Sequence, residues 1–272
     1  MASHEDDALK TSVKSFWEKT PCGTRDIGAV EGSRAFFDRI EFDRIEREPF
    51  IGRFARFGKR RGQRVLEVGV GVGTDFVRFA RAGARLTGVD LTEHGVELAR
   101  QRLTLEGLEA EVRRADAESL PFTDGSFDFV YSWGVIHHTP DPARAAAEIV
   151  RVTRPGGEVC VMVYHRHSLV GLQCWILNAL LRGKPWRSFS DVIAHHMESP
   201  GTRAFSIEEA GRLFPGLERL SVTTVVTLYD IRLTRSFYLP RAFSAVVPDR
   251  VGWFLVVQGI KPIAGEGGAS GE

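Results

Sequence analysis

RVLEVGVGVGTDFVRFARAGARLTGVD, residues 64–90, decides the fold. RVLEV (64–68) is a short apolar strand that breaks into a loop with Gly69, Gly71 and Gly73. TDFVRFARAG (74–83) follows as a helix ending at Gly83, and RLTGVD (85–90) is a second strand. Downstream the alternation continues: a helix over 93–106 closed by Gly107, a strand over 109–116, a strand FDFVYSW over 127–133, a helix over 142–150 opened by Pro142, and a strand GEVCVMVY over 157–164 after the turn RPGG. Strands alternating with helices predict an α/β fold, a parallel sheet with helices on both faces and right-handed crossovers.

Outside this core the pattern changes. Upstream, residues 9–19 read as a short helix ending before Pro21, and 33–58 as one long charged helix or two divided at Pro49. Downstream come an apolar helix over 168–182, a loop, a helix over 206–213 and strands near 219–227 and 251–259 that complete the sheet. The chain therefore divides into an N-terminal helical cap or lid (1–60), a core (61–167), a helical insert over the sheet end (168–215), C-terminal strands (216–262) and a Gly-rich disordered tail (263–272).

The glycine loop carries the first chemistry. Glycines there permit a tight turn and let a ligand lie against bare backbone, and the helix N-terminus behind them favours an anionic group. Asp90, ending the second strand, is placed to accept from both hydroxyls of a ribose, as ligands bind at the carboxyl ends of open parallel sheets. A glycine loop alone also fits dinucleotide dehydrogenases. Three details point elsewhere: Glu67 two residues before the first glycine, Asp116–Ala117 after the third strand, and the fourth strand running into Gly134, Val135, Ile136, His137 and His138.

VLEVGVGVGTD, GVDLT, DAESLPFTDGSFDFVYSWGVIHHTPDP and EIVRVTRPGG together resemble the class I S-adenosylmethionine (SAM)-dependent methyltransferases, in the methyltransferase type 11 subgroup similar to UbiE-like quinone C-methyltransferases. The resemblance implies a Rossmann-like sheet of seven mostly parallel strands, the last antiparallel, with a helical cap. It implies SAM as cofactor, with Gly69, Gly71 and Gly73 at its methionine part, Asp90 at the ribose, Asp116 and Ala117 at the adenine, Ser132 near the methyl donor, and Glu67 and Leu91 also among the cofactor-binding residues. Val70 and Val72 stand where small residues are more usual, which tightens the pocket. SFWEKTPCG (15–23), VYHRHS (163–168), ESPGTRAFSIEEAGRLF (198–214) and Tyr229–Asp230 are similar to a set of small-molecule methyltransferases with diverse acceptors.

Methyl transfer from a sulfonium mainly requires alignment and exclusion of water; a base is needed only for a protonated nucleophile. Candidates for that base are His137, His138, Tyr164 and His165, with His167 beside them; each also fits a structural role in a loop. His165, His167, His195 and His196 lack the carboxylate spacing that would complete a metal site, so none is expected. Phe16 and Trp17 suit a lid or ordinary packing, and Cys22 and Gly23 a turn. The apolar helix with Leu169, Leu172, Trp175, Ile176, Leu177, Leu180 and Leu181 suits core packing, a pocket for a lipophilic or aromatic acceptor, or an exposed patch touching membrane or a second subunit. The basic run Arg53, Arg56, Lys59, Arg60, Arg61 and Arg64 reads as a solvated helix face.

Composition narrows the field. A net charge of +1 argues against a nucleic-acid partner, and 43% hydrophobic with 26% charged residues is ordinary for a soluble globular chain. Three scattered cysteines suggest neither a disulfide framework nor zinc. The acidic N-terminus is no secretory signal, and the longest apolar stretch, Leu169–Leu181, is too short for stable membrane insertion. The expectation is a cytoplasmic SAM-dependent methyltransferase of a small-molecule substrate, with a homo-oligomer left open. The alternatives are a SAM-retaining fold turned to a reaction such as cyclisation, and a non-catalytic binding module.

Overall fold

The computed structural model describes residues 4–232 and 238–263. Three helices come first, α1 (His4–Lys19), α2 (Arg34–Arg47) and α3 (Ile51–Ala55). The core then runs β1 (Arg64–Val68), α4 (Thr74–Arg81), β2 (Arg85–Asp90), α5 (Glu93–Glu106), β3 (Glu111–Arg114), β4 (Phe127–Trp133), α6 (Pro142–Val152) and β5 (Thr153–Tyr164). The remainder holds α7 (Leu169–Asn178), α8 (Phe189–His196), α9 (Ile207–Arg212), β6 (Glu218–Val225) and β7 (Phe254–Ile260). The expected tail at 263–272 lies, apart from Ile263, outside the described residues.

The seven strands form one sheet in the order β3-β2-β1-β4-β5-β7-β6. β1 to β5 pair in parallel, and β7 inserts antiparallel between β5 and β6. The order reverses direction at β1 and β4, so a crevice opens at their carboxyl ends, where such sheets bind ligands. Alternation along β4 builds both faces: Phe129, Tyr131 and Trp133 pack with α3 and α4, and Val130 packs with Ile149 of α6 and Phe214 after α9. Local chemistry sets the helix ends. Thr92 caps α5 by accepting from the Gly95 N–H at 3.2 Å, and Gly107 closes that helix with φ +64°. Asp141 caps α6, whose first position is Pro142.

Of the two readings open for 33–58, the two-helix one holds, the helices separated by Glu48–Phe50 because Pro49 cannot continue α2. Other readings change. RPGG is not a turn before β5 but a bulge inside it, with Gly156 at φ +71° and the register to β4 slipping between Phe127 and Phe129. α8, eight residues opened by the Ser188 cap, stands where a loop was expected. In the basic run Arg60 is not solvated: it is 2% exposed, lies 3.6 Å from the Phe129 ring centroid and donates to Glu158 at 3.0 Å. Burial of a cation demands such a pairing. α9, grouped with the insert, packs on β6 and β7 through the fully buried Ala210 and Phe214.

Candidate functional site

The glycine loop connects β1 to the N-terminus of α4 at the crevice. Gly69, Gly71 and Gly73 hold φ +83°, +53° and +78°, the left-handed region that favours glycine. A Cβ on Gly69 would stand 2.1 Å from Val135 Cγ2, so this glycine admits the loop after β4. A Cβ on Gly71 would meet nothing within 4 Å, so this glycine faces open space. Asp90 anchors the loop: its Oδ2 accepts from the Gly71 N–H at 2.8 Å, and its Oδ1 from the Thr92 N–H at 2.9 Å and hydroxyl at 2.6 Å. Leu91 follows, half-buried. Two buried oxygens at the same end have no hydrogen-bond partner, Glu67 Oε2 and Ser132 Oγ. Burial, then the neighbouring Asp75 carboxylate, pushes Glu67 well above the ordinary carboxylate range. An open glycine cradle with orphaned polar atoms beside it is what a polar cofactor would fill.

Beneath the loop lies a buried polar network. Asp75 of α4 accepts from the Tyr131 hydroxyl at 2.9 Å and from Arg44 at 3.0 Å, while Trp133 Nε1 donates to Glu48 at 3.0 Å. These contacts tie α2 to β4 and hold the aromatic floor of the crevice.

α1 crosses the crevice. Lys10 Nζ pairs with Asp116 at 2.7 Å and Glu118 at 2.6 Å, beside the 7%-exposed Ala117. Glu18 accepts from the first N–H groups of α5, those of Glu93 at 3.2 Å and His94 at 2.9 Å. Trp17 sits edge-on to His138, ring centroids 5.1 Å apart, and edge-on to Phe16. The His94 ring contacts the Glu18 carbonyl at 2.9 Å and Glu31 at 3.0 Å, and these two contacts raise its pKa. A histidine raised on folding contributes stability that is full below its unfolded value of about 6.5 and is lost as pH rises through the higher folded value. Protease cleavage within α1 is therefore expected to quicken from pH 6 to pH 9, and His94→Gln to flatten that dependence; an unchanged dependence in the variant would remove His94 from the account.

The histidines after β4 are not equivalent. His137 is 0% exposed, neither ring nitrogen has a partner, and burial followed by the His138 charge depresses its pKa well below the usual value. It is a neutral ring packed on Tyr164, ring centroids 3.9 Å apart and planes tilted by 40°. His138 Nδ1 lies 2.9 Å from Ser199 Oγ and 3.0 Å from Thr202 Oγ1. Thr202 spends its own proton on the Ser199 carbonyl at 2.7 Å, and the two hydroxyls fix the ring of His138 through Nδ1. Nε2 faces Glu198 Oε2 at 3.3 Å, and the Tyr164 hydroxyl donates to the same oxygen at 2.8 Å. Burial opposes ionisation of Glu198, but the His138 and Tyr164 contacts outweigh it and hold its carboxyl below the ordinary range. Glu198 holds φ +46°, a conformation uncommon for a non-glycine residue and frequent at functional sites.

His165 lies elsewhere, buried with Nδ1 3.0 Å from the Gly252 carbonyl and 6.0 Å from the His167 ring; it ties β5 to the start of β7. Asp230 accepts from Thr227 and from the Trp253 N–H at 3.1 Å, fastening the segment before β7. Gly23, at φ +83°, follows Cys22 in a turn closed by Thr24 N–H to the Pro21 carbonyl at 3.2 Å. Glu198, with Ser199 and Thr202, is not among the candidates that the sequence offers; its stretch enters there only within a resemblance. A cavity of about 710 Å³ between α1, α8 and α9, lined by Leu9, Asp191, Gly201 and Arg203, does not include any residue of the glycine loop.

Residues 66–161 match the family described as a methyltransferase domain. Among curated proteins, a phosphatidylethanolamine N-methyltransferase of Cereibacter sphaeroides is 36% identical over 130 residues, 47% of this chain and 63% of that one. A ubiquinone biosynthesis O-methyltransferase of Aromatoleum aromaticum is 35% identical over 129 residues, 45% of this chain and 55% of that one. The chain thus matches less than two-thirds of the length of these relatives. Among solved structures, a SAM-dependent methyltransferase of Thermotoga maritima, titled a possible histamine N-methyltransferase, aligns with a TM-score of 0.52 at 23% identity, over 92% of this chain and 99% of that one. The strand order, the glycine loop and these matches agree: residues 66–161 are similar to the methyltransferase domain, and the chain shares the fold of the solved SAM-dependent methyltransferase.

Proposed function

We propose that the chain binds SAM in the glycine loop and transfers its methyl group to a small lipophilic or aromatic acceptor held under α1. The observation that carries this reading is the open cradle at Gly71, anchored by Asp90, on the same sheet end as the His138–Glu198–Tyr164 group. SAM, when bound, supplies a methyl group on a positively charged sulfur, already activated for in-line displacement. Asp90 has a lone pair left on Oδ2 for a ribose hydroxyl, the N-terminus of α4 would receive the carboxylate of the methionine part, and Glu67 and Ser132 offer their unpartnered oxygens. Asp116 and Ala117 are assigned to the adenine edge, with Lys10 of α1 closing over them.

His138 and Glu198 act as one base. Glu198 is its open end, 38% exposed, and His138 its buried end, 5% exposed. A proton leaving the acceptor is taken up between Oε2 and Nε2, where Ser199 and Thr202 hold the ring through Nδ1 and a carboxylate faces the imidazolium that forms. Trp17 excludes water above the pair, and the aromatic series Tyr131, Trp133, Phe254 and Tyr164 gives the crevice an apolar wall. His137 and His165, spent on packing and on Gly252, take no proton in this scheme. The alkyl and aromatic lining and the relatives' printed substrates, a phospholipid and a quinone, favour a lipophilic acceptor.

The test incubates the protein with methyl-labelled SAM and a panel of phenolic, quinol and aminolipid acceptors, and follows label in organic-soluble product. Label in at least one product is expected. Tight SAM binding with product formed but no methyl incorporated would replace this reading with the cyclisation alternative.

A further inference from the structure

Asp and Glu are absent from residues 159–190, a span that includes all of α7 and the hook leading to α8. Ala179, fully buried, accepts from the Lys184 N–H at 2.9 Å, Trp175 Nε1 donates to the Arg187 carbonyl at 2.7 Å, and Trp175 stacks on Phe189 with planes 4° apart. The backbone of the hook is thus fixed from within. It nevertheless holds four large apolar side chains in solvent: Leu177 at 52% exposed, Leu180 at 46%, Leu181 at 71% and Trp186 at 77%. Leu177 lies in the last turn of α7, and Leu180 and Leu181 follow it in a single 3-10 turn after the break at Ala179. Arg182 and Lys184 lie exposed among them and form no ion pair among the described residues.

We propose that this hook is a docking surface for an anionic lipid bilayer, into whose headgroup region Leu181 and Trp186 insert while Arg182 and Lys184 pair with lipid phosphates. Amphipathic surfaces rich in Leu, Trp and cations lie in the membrane interface, where a Trp ring matches the headgroup level and basic side chains meet anionic lipid. The contact is peripheral, because no helix among the described residues is long and apolar enough to cross a membrane. A second copy of the chain is the other candidate occupant. A two-fold contact through this face would set Arg182 and Lys184 against their own copies, and residues 159–190 offer no Asp or Glu to pair with them, so charge complementarity selects the lipid surface. The inference does not depend on SAM binding.

The test is cosedimentation of the full chain, without SAM, with vesicles of phosphatidylcholine alone and of phosphatidylcholine mixed with phosphatidylglycerol. The chain is expected to pellet with the mixed vesicles, to be released by salt, and to stay in solution with neutral ones. Leu181→Glu with Trp186→Glu is expected to abolish pelleting, and Arg182→Ala with Lys184→Ala to weaken it roughly tenfold or more. All four positions are exposed, so both double variants should melt with the parent. No pelleting by the parent, or equal pelleting by either double variant, would overturn the proposal. So would a concentration-dependent dimer that Trp186→Glu dissolves, which would assign the face to a second copy.

Discussion

Gly71→Ala yields a folded protein that has lost SAM affinity by about a hundredfold or more, equivalent to roughly 2.7 kcal/mol. The new methyl group meets no protein atom within 4 Å, so the fold bears only the left-handed backbone, about 1–2 kcal/mol. The space it enters is the space assigned to the methionine part of the cofactor. Gly69→Ala supplies the contrast. Its methyl group would overlap the short, stiff Val135 side chain at 2.1 Å, so that substitution lowers the melting temperature as well as binding. Calorimetric titration and thermal melts on both variants separate the two effects. Gly71→Ala binding SAM as tightly as the parent would mean that the cradle does not hold the cofactor.

The second large effect concerns the proton. Glu198→Gln and His138→Asn are each expected to lower kcat about a hundredfold to ten-thousandfold toward an acceptor that must lose a proton, with SAM affinity nearly unchanged. Because the two side chains form one base, the double variant should lose little more than either single one. An acceptor already deprotonated at the assay pH should recover much of the lost rate. Multiplicative losses would mean independent roles, and undiminished kcat in Glu198→Gln would remove the carboxylate from the chemistry.

The core was legible because its signals are local. The alternation of strand and helix over 64–164, the glycines at three left-handed positions and Asp90 at a strand end are each readable from a few neighbouring residues. Tertiary partners were not readable. Nothing near His137 and His138 in sequence says which ring is sealed against Tyr164 and which is steered by Ser199 and Thr202, some sixty residues later. Nor does the run Arg53–Arg64 show that Arg60 turns inward onto Phe129 and Glu158. α8 was missed because eight residues ending in two histidines carry little apolar periodicity, while its cap Ser188 resembles any loop serine. Glu198 has no local signal beyond the resemblance of its stretch: it stands out by facing a histidine on another element.

The central claim is that this glycine loop holds SAM. Titration of the purified chain with SAM by calorimetry, beside Asp90→Ala, tests it most directly. Micromolar binding that Asp90→Ala loses is expected, since the carboxylate both receives the ribose and fixes the Gly71 and Thr92 N–H groups. A folded parent protein that takes up no SAM would contradict it.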